Sequence, residues 1–452
     1  ACLGATSLEN EYPNGQCDDS GGYHGVLCGS CSDEHILLAD YTCSKCPGMA
    51  MILLSAGLTV VLVMAIVIVL VRSSIRSATQ KKSLFSIYLK IFANYVQLMI
   101  LASSFKVQWP PEVRKLFRTH YQIGAFSDQI PQFSCLFPAN NPKRVFSELL
   151  LSALTPIIVI FLSVAIWVIV CSITNLRRRD AINRMILTAI VMLFCLHPMI
   201  VRRSLSMFYC HKIEDHSYLR TDYSIQCWKS EHKFWALNIA LPSLILWGLG
   251  IPTAALVVLI KHRNALLFHD TRIRYGFLFL GYKDAKFYWE LIIVYRKIIL
   301  AGLMIFSNRW QGQAPVLVGV GFLLASLYIH NGNAPFSHAE LNRMEGLAIA
   351  LPALSLYTGI MYNTQNISNG ARLTMFLVLV LLNLAFTIYW IAFSCKSLLK
   401  KVRHKLRRRS RRRVQPGGDM TAFAPVLPFK RLHTGTRRGS MTRLKPIPEK
   451  IQ

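Results

Sequence analysis

Residues 49–71 read MAMILLSAGLTVVLVMAIVIVLV, an uninterrupted apolar run that ends at Arg72. A helix needs about 20 predominantly apolar residues to cross the hydrocarbon core of a bilayer. This run is long enough and carries no charge, so it predicts a transmembrane helix. It also divides the chain, because the 48 residues before it are polar and rich in cysteine.

Further apolar runs follow along the chain, so the sequence predicts an all-α membrane protein with about nine transmembrane helices. The predicted spans are residues 49–71, 84–105, 146–173, 185–201, 234–260, 288–307, 314–330, 347–362 and 373–394. Three domains result: a small disulfide-rich extracellular stalk at 1–48, a polytopic membrane domain at 49–395 and a basic cytosolic tail at 396–452.

The composition agrees with a membrane protein. Of the 452 residues, 53% are hydrophobic and 16% are charged, whereas ordinary soluble domains carry about a quarter of charged residues. These values exclude a disordered chain and argue against a soluble enzyme. The sequence has no HExxH motif, no P-loop and no nucleophile elbow. We therefore predict no enzymatic activity, no metal site and no cofactor.

Positive charge is concentrated at the C-terminus. The chain has 51 Lys+Arg and 22 Asp+Glu, a net charge of +29, and residues 396–452 hold 18 basic and 2 acidic residues of this total. A basic segment directly after a membrane span suits the acidic headgroups of the inner leaflet. We predict that membrane lipids, and not nucleic acid, are the partner of this tail. Ser410 and Ser440 lie in basic surroundings and are candidate phosphorylation sites.

Three features give the orientation in the membrane. Nine of the 12 cysteines fall on one side of the predicted spans, as does the sequon Asn366-Ile367-Ser368. Disulfides and N-glycans belong to the oxidising, external side. Lys and Arg are densest on the other side, which is the cytosolic one. We predict a plasma-membrane protein with an external N-terminus. Because the chain starts at Ala1 without a signal sequence, we expect further extracellular domains before it.

The cysteine spacing of the N-terminal segment has two interpretations. Two C-x2-C pairs are typical of zinc sites, but disulfides are favoured in an external segment too small to bury a core. We favour disulfides and a rigid stalk over a ligand-binding role. The candidate bridging residues there are Cys17, Cys28, Cys31, Cys43 and Cys46. We also predict a bridge between Cys210 and Cys227, which share one external loop.

The sixth span contains Glu290, Arg296 and Lys297. A charge in the hydrocarbon region costs at least about 2.5 kcal/mol, so these residues are candidates for an ion path or a gating cluster. The alternative, which we favour slightly, is a structural ion pair with a neighbouring helix, or snorkelling of Lys297. Lys90 and Glu148 are interpreted as lone charges near the ends of spans.

The fifth span is the candidate hinge, because it carries Pro242, Gly250 and Pro252. Proline removes a backbone donor and kinks a helix. His197, deep in the fourth span, is interpreted as a packed histidine. The alternation of aromatic, glycine and basic residues over 275–286 predicts an interfacial helix on the inner leaflet.

Short motifs carry a resemblance to a known type of protein. Residues 22–31 read GYHGVLCGSC and residues 43–47 read CSKCP; the membrane part contains WP at 109–110, HP at 197–198, SIQCW at 224–228, GIP at 250–252 and YWE at 288–290. In this order the motifs resemble the TRP-like polytopic proteins of protists and algae, whose membrane region follows ephrin-receptor-like, EGF-like Cys-rich modules.

That resemblance implies a TRP-like cation channel, or a channel-like sensor coupled to an extracellular Cys-rich region. The linkers between spans 6 and 7 and between spans 8 and 9 are too short for a pore helix and filter, and the long outer loops 106–145 and 202–233 contain no filter-like run. A non-conducting surface receptor or adhesion anchor is therefore the alternative, and a transporter is the third. A homo-oligomer is expected only on general grounds, since channels at subunit interfaces need symmetry.

Overall fold

The computed structural model describes residues 17, 20–24, 28–32, 35–37, 43–79, 84–103, 105, 143–174, 176–213, 215–306, 312–362 and 367–413. The main helices are α1 (Met49–Thr79), α2 (Phe85–Ser103), α3 (Lys143–Ile173), α4 (Arg178–Ser206), α5 (Ser230–Lys261), α6 (His269–Phe279), α7 (Trp289–Phe306), α8 (Ala314–Asn333), α9 (Ala339–Tyr362) and α10 (Asn369–Arg413). The predicted sites Asn366 and Ser440 lie outside the described residues.

Eight of these helices are long and apolar enough to cross a membrane, so the chain has the make-up of a multi-pass membrane protein. The two others are α6, which has 11 residues, and α7, whose 18 residues include three charges. α2 and α9 are mostly buried, whereas α1, α3 and α10 expose most of their apolar side chains. Leu, Ile and Val pointing out of a bundle are suited to lipid.

Several helices extend beyond the predicted spans. α1 continues past Arg72 to Thr79, α4 already begins at Arg178, and α9 begins at Ala339 instead of residue 347. Hydropathy identifies only the apolar part of a helix, which suits lipid. The helix itself can continue past that part, because its backbone N–H and C=O groups bond to each other within the helix. α10 likewise runs on without a break to Arg413. The part of α10 from Lys401 onward belongs to a second unit of the chain.

A helix overlaps the interfacial helix predicted at 275–286, but its bounds are different. The helix there, α6, covers His269–Phe279 and ends before Gly281, whose φ of +102° suits glycine. Its apolar side packs on α1 and α4, where Phe277 is buried. Asp270 holds α6 to α4 by accepting from Asn183 Nδ2 at 3.2 Å and by pairing with Arg179.

Among the described residues, β-strands occur in the N-terminal segment and between α4 and α5. The N-terminal segment forms the hairpins β1 (Tyr23–His24) with β2 (Ser30–Cys31) and β3 (His35–Leu37) with β4 (Cys43–Lys45). Between α4 and α5 lies an antiparallel sheet of β5 (Cys210–Ile213), β6 (His216–Leu219) and β7 (Asp222–Gln226).

Disulfides join these β-structures internally. Cys17 bonds to Cys28 and Cys31 to Cys43, and Cys46 is disulfide-bonded as well. Each C-x2-C pair is thus divided between different bridges, which leaves no thiolates for zinc at these positions. The predicted partners Cys210 and Cys227 are bonded to each other.

Candidate functional site

The three charges of α7 are buried inside the helix bundle. α7 packs against α2, α4, α5, α6 and α8. Glu290 is fully buried, and Arg296 and Lys297 are 6% and 4% exposed. Lipid does not reach these side chains, so their partners within the protein decide their role.

Glu290 pairs with Lys90 of α2, a residue interpreted from the sequence as a lone charge. Its Oε2 also accepts from the hydroxyl of Tyr282 at 2.9 Å. The Lys90 ammonium donates to the Phe277 carbonyl oxygen at 2.7 Å and lies 4.9 Å from the Phe277 ring centroid. This first pair ties α2 to α7 and to the end of α6.

Tyr282 lies in the turn between α6 and α7. Burial raises the pKa of its phenol well above the usual range, and the neighbouring charges of Glu290 and Glu345 raise it further. The hydroxyl therefore keeps its proton and remains a donor to Glu290.

Arg296 pairs with Glu345 of α9, with 2.6 Å between Nη2 and Oε1. Glu345 is fully buried. The contact is a single hydrogen bond: within the described residues, Arg296 Nε and Glu345 Oε2 have no partner. The second pair thus joins α7 to α9 without the bidentate geometry that arginine and carboxylate often adopt.

Lys297 is held differently. Its ammonium donates to Asn94 Oδ1 at 3.1 Å and to Gln97 Oε1 at 2.7 Å, both on α2. It also lies 4.8 Å from the ring centroid of Phe194 on α4. No carboxylate of the described residues forms a salt bridge with it. Three cations and two carboxylates therefore give this buried charge cluster (Lys90, Glu290, Arg296, Lys297 and Glu345) a formal excess of one positive charge.

The sequence pointed to the three residues of α7 but missed their partners. Glu345 was overlooked because it precedes the apolar run of its helix. A usable signal was the helical spacing of Asn94 and Gln97 with Lys90, which places three polar residues along one side of an otherwise apolar helix.

The candidate hinge in α5 departs from α-helical geometry. π-Helical turns cover Ala236–Ala240 and Leu244–Gly250. Pro252 cannot donate to the Gly248 carbonyl as an α-helix would require. His197 Nε2 of α4 donates to that oxygen at 2.9 Å. Pro242 lies between the two π-helical segments. His197 is thus a packed residue with a defined role.

The disulfide-bonded N-terminal segment packs directly on the β5–β7 sheet. Ser30 Oγ donates to Asp222 Oδ1 at 3.1 Å. Gly29 lies so close to Tyr223 that a Cβ at residue 29 would come within 2.3 Å of the tyrosine ring. β2 and β7 are in contact. The rigid stalk predicted from the sequence is thus in contact with the membrane domain's external sheet.

The segment also touches α3, because Arg144 Nη1 donates to the His35 carbonyl oxygen at 3.3 Å. The sheet is in turn anchored to the bundle. His232 of α5 accepts from the Trp228 backbone N–H at 3.0 Å and donates to the Met207 carbonyl oxygen at 3.0 Å. The sheet also packs on α3, because Leu219 and Ile225 form one buried cluster with Phe146. Contacts therefore run from the N-terminal segment to α3 directly, and through the sheet to α3, α4 and α5.

Comparison with known proteins gives limited information. No protein-family model matches the chain, and no solved structure matches it. The chain is similar to cysteine repeat modular protein A of Toxoplasma gondii, with 25% identity over 228 residues, which covers 47% of this chain and 7% of that protein. The chain thus corresponds to a small part of a much longer relative.

Proposed function

We propose that the chain is the membrane part of a cysteine-rich surface protein and acts as a sensor. In this proposal, a change in the external disulfide-bonded segment shifts the helices that hold the buried charge cluster. The docking contact between β2 and β7 carries the proposal. A passive anchor needs only a tether, whereas this segment is fitted against a sheet that is fixed to three helices.

The contacts continue from that sheet to the charge cluster along α4. Met207, directly after α4, is bonded to His232 next to the sheet. Further along α4, His197 holds the π-helical part of α5, and the ring of Phe194 contacts Lys297. A single helix therefore touches the sheet, the hinge and the cluster. Such a contiguous chain of contacts can carry energetic coupling between distant sites.

The proposal includes nine membrane spans with the N-terminus outside and the C-terminus in the cytosol, in the plasma membrane. The docking contact puts the N-terminal segment and the β5–β7 sheet on the same side of the membrane. This supports an even number of crossings between them, namely the four helices α1 to α4. α7 is supported as a span because the turn before it bonds to the turn between α8 and α9. Lys283 N donates to Pro335 O at 2.9 Å, and Ser337 N donates to Gly281 O at 3.0 Å. The start of α7 and the end of α8 therefore lie at the same face.

The name of the relative adds support for the cysteine-rich part of the proposal. A relative named for its cysteine repeats is consistent with a large cysteine-rich part joined to this membrane part. The relative's name mentions neither conduction nor catalysis.

The test uses Cys195 as a native reporter. This free thiol of α4 lies next to Phe194 and within electrostatic range of Lys297. We would measure its alkylation rate by mass spectrometry in protein that carries Cys395→Ser, with free Cys171 of α3 as the internal reference. Undocking the N-terminal segment by Ser30→Ala with Asp222→Ala should change the Cys195 rate at least several-fold and leave the Cys171 rate unchanged.

Asp215→Ala is the matched control, because Asp215 is an exposed aspartate in the turn before β6. Its Cys195 rate should equal that of the parent. Faster proteolysis of the N-terminal segment would show that the double variant has undocked it. If the segment undocks while the Cys195 rate stays constant, the chain is a passive anchor and the sensor proposal fails.

A TRP-like cation channel is the second candidate. The observation in its favour is the excess positive charge of the buried cluster together with the π-helical turns of α5, since such turns are frequent at functional sites. Cation flux into proteoliposomes tests it. Flux that Lys297→Gln changes in well-folded protein would support a channel, and the absence of flux would leave the sensor.

A further inference from the structure

The cytosol-directed end of α1 contacts the bundle through serines. Ser73, Ser74 and Ser77 are all buried there, as is Ser86 of α2. Outer residues of the same helix, such as Leu54 and Leu58, are exposed. The helix that follows the N-terminal segment is thus attached to the bundle partly by small polar side chains.

A small cavity lies at this attachment, between α1, α2 and α6. It is lined by Ser74, Ser77 and Ser86, by Lys90 and by the last residues of α6. Its volume is about 10 Å³, which is about the space that one water molecule requires.

Lys90, Ser74 and Ser86 have unused bonding capacity at the cavity. The Lys90 ammonium has three hydrogens, of which one goes to the Phe277 carbonyl and one to Glu290. Ser74 Oγ is buried and has no partner among the described residues. Ser86 bonds to Ser77 at 3.0 Å, and the Ser86 hydroxyl oxygen has a second lone pair to offer.

We propose that this cavity holds one ordered water molecule, which accepts from Lys90 and donates to Ser74 and to Ser86. Two to four polar partners are what a buried water requires. The ammonium disfavours a cation at this place, and the volume excludes a phosphate or a carboxylate. The ligand class is therefore water.

The water would join α1 to the Lys90–Glu290 pair, and so to the buried charge cluster. A bridging water can be broken and remade more easily than interlocked side chains, because it carries no packing of its own. Its role in signalling rests on the proposed sensor function, but its presence does not, so the two can fail separately.

Ser74→Val distinguishes a water from an empty cavity by the sign of its effect. If a water is bound, valine displaces it and leaves the ammonium with a buried, unpaired hydrogen, so the melting temperature of the purified protein should fall by several degrees. If the cavity is dry, valine fills it and replaces an unpaired hydroxyl, a change that is neutral or stabilising. An unchanged or higher melting temperature would therefore overturn the proposal.

Ser73→Ala is the matched control, because Ser73 Oγ is also buried without a described partner but does not line the cavity. It should leave the melting temperature unchanged or raise it, while Ser74→Ala should lower it. If Ser74→Val does not fold, this pair of alanine variants decides. A high-resolution map of the wild-type protein should show density within hydrogen-bond distance of Lys90 Nζ, and an empty cavity there would refute the proposal.

Discussion

Arg296 Nη2 of α7 donates to Glu345 Oε1 of α9 across 2.6 Å, in a part of the bundle where neither side chain is reached by lipid. The pair joins a charged helix to one of the most buried helices of the protein. Breaking a buried ion pair by removing one partner leaves an uncompensated charge, whereas replacing both partners is often neutral.

We therefore predict non-additive effects at this pair. Arg296→Met and Glu345→Leu should each lower the free energy of unfolding by about 3–5 kcal/mol, and the double variant should be more stable than either. Melting temperatures and surface expression measure this. Additive losses would show that the two residues do not depend on each other.

Arg296→Lys should destabilise the protein less than Arg296→Met or Glu345→Leu does. A bidentate pair would need the planar fork of arginine, but only one hydrogen bond is formed here. Folded Arg296→Lys protein with a small drop in melting temperature is the expected outcome. Complete loss of folding would show that the guanidinium has further essential contacts.

Lys90 and Lys297 should differ in their sensitivity to truncation. Lys90→Met removes the cation that pairs with Glu290 and leaves that buried carboxylate with the Tyr282 hydroxyl. Lys297→Met strands no carboxylate, because its acceptors are two neutral amides. We expect the first variant to lose expression and the second to retain most of it. Equal losses in side-by-side purifications would contradict the assignment of partners.

The sequence predicted the helices better than their partners, for a physical reason. Hydrophobicity is local, so apolar runs locate the membrane-crossing parts of helices such as α1 and α3. Ion pairs are non-local: Lys90 and Glu290 are 200 residues apart, and no periodicity relates them. The charges of α7 could be recognised as exceptional in lipid. Whether they face each other, water or other helices could be read only from the packed structure.

The same distinction applies to the N-terminal segment. Its cysteines predicted bridges from composition and compartment alone. Its position on the β5–β7 sheet depends on the close approach of Gly29 to Tyr223, and nothing local to either residue indicates that contact.

We predict that Asn366 is glycosylated and that the tail is cytosolic. The N-terminal segment docks beside the β5–β7 sheet, so an even number of crossings separates the two. Four more crossings, α5, α7, α8 and α9, then place residue 366 on the same side as the sheet. A mass shift on glycosidase treatment, together with a tail epitope detected only after permeabilisation, is the expected result. A glycosidase-insensitive mass, together with a tail that is labelled on intact cells, would show that the orientation in the membrane is the opposite one.

The basic tail should bind anionic membranes and release them on phosphorylation. Each Lys or Arg near the surface contributes about 1 kcal/mol, and a phosphate at Ser410 or Ser440 adds nearly two negative charges. A peptide of residues 396–452 should bind vesicles containing acidic lipid much more tightly than neutral ones. Phosphorylated peptide should bind less, and equal binding to both vesicle types would refute an electrostatic contact.

The last prediction concerns the hinge in α5. His197 donates to the Gly248 carbonyl, which is the acceptor that Pro252 cannot serve. His197→Leu should therefore cost about 1 kcal/mol or more, because it leaves a buried carbonyl unpaired. Pro252→Ala restores a backbone donor and should reduce that cost, so the two changes should be coupled in a double-mutant cycle. Pro242→Ala is the control: Pro242 lies in the same helix but withholds its donor from a different carbonyl, that of Asn238, so its effect should add to that of His197→Leu. Coupling to both prolines alike would mean that His197 stabilises α5 as a whole rather than the gap left by Pro252.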